Sequence, residues 1–343
     1  MTLSVYIGDK KIDDVLSVSI QRNLDYVVGT ATITLPYHKK FQFKRWDAIK
    51  IYYGDKILMN GFLTDRRVSL SRHDASITLR AEDAIGIAKF RNIKWDYDKG
   101  YLSQRLVDIF YRLNPWLSVV PLDIRLYKDV VVNFNSQQSL IDFFRMLKEE
   151  MGLWVYSTRD GTVVVQSPSW LFDNEVPAWE FKYGDNIFSI DIQNTLNFIW
   201  AVVIVGNRCN GVALDVFTRE VIGGDKTNGI EIIQRYDIYD QEEADEVARN
   251  ILIQRNKEAF VTIDVPFRPD YNLTDYVLIK NIPDEIPEDR KFFITSVEHH
   301  ISSSDIHTTL KLAYSPLLTM PDRITKERDK TPLDLEVLTS IGV

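Results

Sequence analysis

Cysteine is almost missing from this chain: its 343 residues hold one, Cys209. That excludes an internal disulfide and any zinc cage built from cysteines. Coming just after the apolar run 202–205, Cys209 reads as a structural thiol. Long apolar runs are lacking too, and nothing approaches the length of a membrane-spanning helix. Met1-Thr2-Leu3-Ser4-Val5 reads as the start of a strand, so no signal peptide is expected and the chain should be a soluble product of a cytosol. There is no basic excess: 49 acids against 41 bases give a net charge of −8, which argues against a surface made to grip phosphates.

Catalytic motifs are equally scarce. The histidines are His38, His73, His299, His300 and His307. His299 and His300 are neighbours and should point to opposite faces of a strand. His299 and His307 are expected to meet across a hairpin, where a metal would still need Glu298 or Asp305. No His-Glu-x-x-His spacing and no Gly-x-Ser-x-Gly elbow occur, and Gly223-Gly224-Asp225-Lys226-Thr227 lacks the spacing of a phosphate loop. The acids Asp13-Asp14, Glu149-Glu150, Glu242-Glu243, Glu285 and Glu288-Asp289 sit in turns and on helix faces. They do not suggest two carboxylates facing across a glycan cleft. No catalytic, metal or cofactor residue is assigned. The aromatic residues fall mostly at strand and helix positions that belong to core or interface.

What is present is alternation. Residues 1–95 carry period-two runs at 15–20, 30–35, 48–53, 61–65 and 75–80, with a turn at Gly54-Asp55 and a stop at Pro36. Each such strand is wet on one face and dry on the other, as in a small barrel or sandwich. Residues 96–175 change period and read as a compact α/β insertion. Leu102, Leu106, Ile109, Phe110 and Leu113 mark one helix, ended by Asn114-Pro115. Residues 176–316 return to β, at 188–192, 198–205, 276–279, 291–297 and 308–313. One helix interrupts them at about 240–256, opened by an Asp240–Glu243 capping box. Two stretches repeat a plan: 48–53, 61–68 and 75–81 against 276–280, 291–299 and 306–313. Each has a polar turn (71–74, 302–305) before a strand with Thr78-Leu79 or Thr309-Leu310. Residues 317–343 are a charged linker and a tail whose Leu333, Leu335, Val337 and Leu338 are candidates for docking on a partner.

The most informative segment is 139–166. Leu140, Phe143, Phe144, Leu147 and Met151 form one apolar helix face, Gly152 ends the helix, and Asp160-Gly161 is expected to join strands 153–157 and 162–166 as a two-residue turn. The pattern Leu140, Phe143, Leu147, Glu150-x-Gly152-Leu153-Trp154, then Asp160-Gly161, resembles a unit of the central hub proteins of contractile injection machines. These are phage tail hubs of the Mu and late-control-D type and the hub half of type VI secretion spikes.

The resemblance spans roughly 1–316 and implies a mainly β protein: two tail-tube-like β-barrels (1–95 and 176–316) with a smaller α/β domain (96–175) and the tail 317–343. It implies a structural, non-enzymatic baseplate component of a virion, tailocin or similar particle, assembled in a bacterial cytoplasm. As a homotrimer it would join a sixfold tail tube to a separate threefold spike, contact other baseplate (wedge) proteins and use no cofactor. Its acidic character suits a channel through which DNA slides without sticking. A cell-wall hydrolase or a glycan-binding tail component is the alternative.

Overall fold

The computed structural model describes residues 2–37, 43–70, 75–90, 99–113, 120–133, 139–169, 176–192, 199–215, 229–256, 261–282 and 291–314. They fall into two compact units. The described parts of the first run up to residue 192 and on from 261, and the second holds 199–215 and 229–256.

The first unit opens with β1 (Leu3–Ile7), β2 (Lys10–Ile12), β3 (Ser17–Asn23), β4 (Thr30–Pro36), β5 (Ala48–Tyr53), β6 (Lys56–Leu70) and β7 (Ala75–Asp83). Alternation accounts for them: in β4, Ala31, Ile33 and Leu35 are buried while threonines take the positions between. The middle stretch contains a 3-10 helix (Ala84–Phe90), β8 (Lys99–Tyr101), α1 (Leu102–Val107), β9 (Leu122–Arg125), β10 (Val131–Asn133), α2 (Leu140–Met151), β11 (Trp154–Ser157) and β12 (Val163–Gln166). Strands β13 (Trp179–Lys182) and β14 (Ser189–Ile192) follow. The second unit comprises β15 (Ala201–Val205), β16 (Asn210–Leu214), β17 (Ile230–Gln234) and α3 (Gln241–Arg255). The chain then re-enters the first unit with β18 (Val261–Pro266), β19 (Tyr276–Lys280), β20 (Lys291–Ser302) and β21 (Ile306–Tyr314).

One large sheet dominates the first unit, in the order β14-β18-β21-β20-β3-β4-β7-β6-β5-β1-β2, with β19 beside β20 and β13 parallel to β19. Five strands appear in it twice with the same order, β3-β4-β7-β6-β5 and β14-β18-β21-β20-β19, every neighbour antiparallel. The likeness reaches single residues. Strand β6 bulges at Thr64 and β20 at Thr295, each time shifting the register against the following strand. Thr64 Oγ1 donates to the Arg80 carbonyl at 3.3 Å, and Thr295 Oγ1 to the Lys311 carbonyl at 3.1 Å. Thr78-Leu79 and Thr309-Leu310, paired from the sequence, occupy the same places one residue before those carbonyls. Both modules close their second strand with proline, Pro36 opposite Ser76 and Pro266 opposite His307.

Between the modules lies the α/β segment. Ser139 caps α2 by accepting from the Asp142 amide, and Gly152 ends it at φ 66°, a left-handed conformation that costs glycine least. The buried face carries the expected residues, joined by Ile141 and the half-apolar stem of Lys148. The hairpin departs from expectation: Ser157 pairs with Val163 and the Thr158 amide with the Thr162 carbonyl, which leaves the three-residue loop Arg159-Asp160-Gly161. Gly161, at φ 93°, takes its left-handed position, the arrangement of a three-residue hairpin and not of a two-residue one. The helix expected over 102–113 is α-helical only to Val107 and continues as a π-helical turn over Asp108–Leu113. Its Asn114-Pro115 stop lies outside the described residues.

In the second unit the apolar run near residue 200 is the central strand of its own small sheet, order β16-β15-β17. Helix α3, capped by the Asp240 carboxylate accepting from the Glu243 amide at 2.9 Å, packs on it. Contact is close at Gly211, where a Cβ would lie 2.1 Å from the Ala244 carbonyl. Gln241 and Asp245 reach from the helix to backbone groups of Asn210 and Val212 on β16. Cys209 is buried, its Sγ 3.6 Å from the Ile238 carbonyl, and burial pushes its pKa up. It is the structural thiol expected.

Candidate functional site

Two features of the first unit carry chemistry or shape, a polar cleft and the joint between the two modules. The cleft encloses about 580 Å3 and is lined by parts of β3, β9, the β11–β12 hairpin and the loop before β19. Arg22 is one of its buried lining residues, donating from Nη2 to the Tyr271 carbonyl at 3.2 Å, while its Nε has no partner among the described residues. Burial, and then the nearby Arg159, lower the pKa of this guanidinium to about 10. Arg159 donates to the Pro269 carbonyl at 2.7 Å and to Asp270 at 2.9 Å, and Lys56 also holds Asp270 at 2.5 Å. Arg125 grips Asp123 through two nitrogens at 2.9 and 2.7 Å.

The carboxylates of the cleft are held by donors. Burial raises the pKa of Asp275, yet its Oδ2 already accepts from Trp179 Nε1 at 2.8 Å and from the Asn272 amide at 3.2 Å. Burial also acts on Asp160, but hydrogen bonds from Thr158 and Thr162 outweigh it and lower its pKa. Outside the cleft lining, burial pushes Asp83 up to about 7. That carboxyl accepts from the Gly29 amide at 2.6 Å and the Ile85 amide at 3.0 Å, so it ties the end of β7 to the β3–β4 connection and to the 3-10 helix. Sequence reasoning gave none of these groups a role: Arg22, Arg125 and Arg159 lie far apart in the chain, and only the fold brings them to one hollow.

The histidines are arranged differently from expectation. His300, not His299, lies opposite His307, and the two rings stack with centroids 4.7 Å apart. His300 Nε2 is 3.3 Å from Glu298, and His307 Nδ1 is 2.8 Å from Asp305. His299 points the other way, to a fully buried place opposite Thr308, with Nδ1 2.9 Å from Thr308 Oγ1 and its ring against Phe267. Burial, with Arg22 next, lowers its pKa well below the ordinary value, so it is a neutral core histidine. Among the described residues no cluster of three or more His, Cys, Asp or Glu is arranged to hold a metal ion, and no helix is long and apolar enough to cross a membrane. His38, His73, the 223–227 loop, Glu285, Glu288, Asp289 and the tail residues Leu333, Leu335, Val337 and Leu338 lie outside the described residues.

The joint is made by β3 of the first module and β20 of the second, antiparallel from Asn23 opposite Ser296 to Ser17 opposite Ser302. It fuses the modules into one sheet and hides the facing edges of both.

No protein-family model matches the chain, and no curated protein matches it by sequence. Solved structures do match. The tail protein from Neisseria meningitidis MC58 superposes with a TM-score of 0.70 at 15% identity, covering 91% of this chain and 96% of that one. A 43 kDa tail protein of prophage MuSo2 from Shewanella oneidensis gives 0.65 at 14% identity, over 90% and 97%. The Escherichia coli protein c3393, a type VI secretion component described as structurally similar to the bacteriophage T4 tail proteins gp27 and gp5, gives 0.57 at 11% identity, over 92% and 77%. The likeness seen at residues 139–166 is thus matched by the fold: the chain has the mainly β fold shared by these phage tail proteins and this type VI secretion component.

Proposed function

We propose that this chain is the baseplate hub of a contractile injection machine. Three copies form a ring that joins a sixfold tail tube to a threefold central spike and lines the axial channel. The observation that carries this reading is the pair of five-stranded modules with one strand order and matching bulges. A protein with two similar modules, assembled as a trimer, offers six similar faces to a tube while keeping threefold symmetry for a spike. Each module is read as a tube-like barrel, within the segments 1–95 and 176–316. The α/β segment 96–175 braces them, and Trp154 of its hairpin packs on Phe293 of β20 with ring centroids 5.4 Å apart.

Tail tube, spike and wedge proteins are its partners, and in a phage DNA passes without specific binding, in keeping with the net charge of −8. The role is structural and not enzymatic: a hydrolase would need a carboxyl free to meet substrate, whereas Asp123, Asp160 and Asp275 are each engaged by a cation or a hydrogen-bond donor. Residues 331–343, with Leu333, Leu335, Val337 and Leu338, help attach the spike; a deletion that leaves attachment unchanged removes this part of the reading. Light scattering on the purified chain and cryo-EM of assembled particles test the whole. A trimer on the tail axis is expected, and a chain that stays monomeric in both settings refutes the hub.

A further inference from the structure

We propose that each copy of this chain docks on the next by laying its β14 along the free edge of its neighbour's β6, which repeats between chains the joint that β3 and β20 make within one. Strand β20 supplies the template. It pairs with β19 over Lys291–Phe293, and from Ser296 to Ser302 the same edge is taken by β3. There Val297, His299 and Ile301 of β20 are 0%, 0% and 4% exposed, and Val18 and Ile20 of β3 are 2% and 0% exposed.

In the first module no described strand fills this place. Strand β6 pairs with β5 over Lys56–Phe62, and among the described residues no strand continues along that edge. Asp65 to Leu70 are all exposed. Val68 and Leu70 are the counterparts of His299 and Ile301, and they are 40% and 66% exposed. At the far end of the sheet β14, the counterpart of β3, pairs among the described residues with β18 alone. Its pairing matches Ser189, Ile190, Asp191 and Ile192 to Ser17, Val18, Ser19 and Ile20. An empty slot for a first strand and an unused first strand therefore lie at different places on one chain. Such surfaces join copies head to tail, and the ring closes when the rotation suits it.

Transferring the internal joint fixes the register: Leu70 opposite Ile190, Ser69 opposite Asp191 and Val68 opposite Ile192, antiparallel. The chemistry fits a second copy. On one face the apolar Val68 and Leu70 meet Ile190 and Ile192. On the other, Glu298 accepts from Ser19 Oγ at 3.3 Å within the chain. Between chains their counterparts are Arg67 and Asp191, an opposite-charge pair. Two β6 edges pairing with each other would instead crowd Arg66 and Arg67 of both copies, so β14 is the favoured occupant.

This inference deepens the hub reading and rests on it. Ser69→Cys with Asp191→Cys, in a Cys209→Ser background, places two thiols directly opposite across the joint, within disulfide reach. Mild oxidation is expected to give covalent multimers ending at three chains on non-reducing gels. Arg67→Asp alone and Asp191→Arg alone should each lose the trimer by light scattering, with circular dichroism unchanged. Arg67→Asp combined with Asp191→Arg should regain it. A trimer that forms without the 69–191 cross-link and survives both single reversals overturns the edge pairing and leaves the hub reading standing. A wild-type chain that is monomeric, alone and in particles, overturns both.

Discussion

Replacing Trp154 tests the claim that the α/β segment is fastened to the large sheet by the hairpin. Trp154 is fully buried between α2 and the sheet and faces Phe293 of β20. A buried tryptophan removes roughly 150–250 Å2 from water. At about 25 cal/mol per Å2 that is about 4–6 kcal/mol. Alanine keeps little of it and leaves a cavity that a β-hairpin buried at all eight strand positions cannot collapse to fill. Measured losses for such changes run about 3–5 kcal/mol, and we expect ~4 kcal/mol for Trp154→Ala. Phenylalanine keeps an aromatic ring toward Phe293, and Trp154→Phe should cost about 1–2 kcal/mol. Urea unfolding followed by far-ultraviolet circular dichroism is the assay, since the chain has seven tryptophans and fluorescence would mix them. A loss below about 1 kcal/mol for alanine, or equal losses for the two variants, refutes the reasoning.

Gly211→Ala forces a Cβ to within 2.1 Å of the Ala244 carbonyl; it should part α3 from its sheet at a cost of about 2 kcal/mol or more, seen as faster hydrogen exchange confined to 199–256. Asp240→Ala should cost ~1 kcal/mol by removing the acceptor for the Glu243 amide, read in the same unfolding assay. His299 predicts a pH dependence. Its folded pKa lies well below the ordinary value of 6.5, so its contribution is intact above that value. It is lost as pH falls below it, because the unfolded state binds the proton more readily. Unfolding free energy measured from pH 8 to pH 5 should decline on the acid side, and His299→Gln should flatten part of that decline; identical slopes would contradict the assignment.

Much of the fold was legible locally. The helix face of α2, its Ser139 and Gly152 ends, the Asp240 cap and most strands of the modules follow from spacing and capping chemistry, which act within a few residues. The hairpin loop was misread by one residue because Asp160-Gly161 suits two loop lengths, and the Thr158–Thr162 pairing chooses between them. His299 and His300 were separable in principle: the alternation Val297, His299, Ile301 puts His299 on the buried face. The cleft had no such signal, since Arg22 becomes a buried cation only when the loop holding Tyr271 folds over it.

By itself, then, the sequence determined which residues are strand, helix or cap, and that two stretches follow one plan, because periodicity, glycine and proline are short-range constraints. Tertiary structure alone decided that residues 17–23 pair with 296–302 and that the apolar run at 201–205 leaves the large sheet for a small one. Backbone hydrogen bonds are the same for every strand, so the choice of partner is set by which side chains can be buried together, and that is a property of the whole chain.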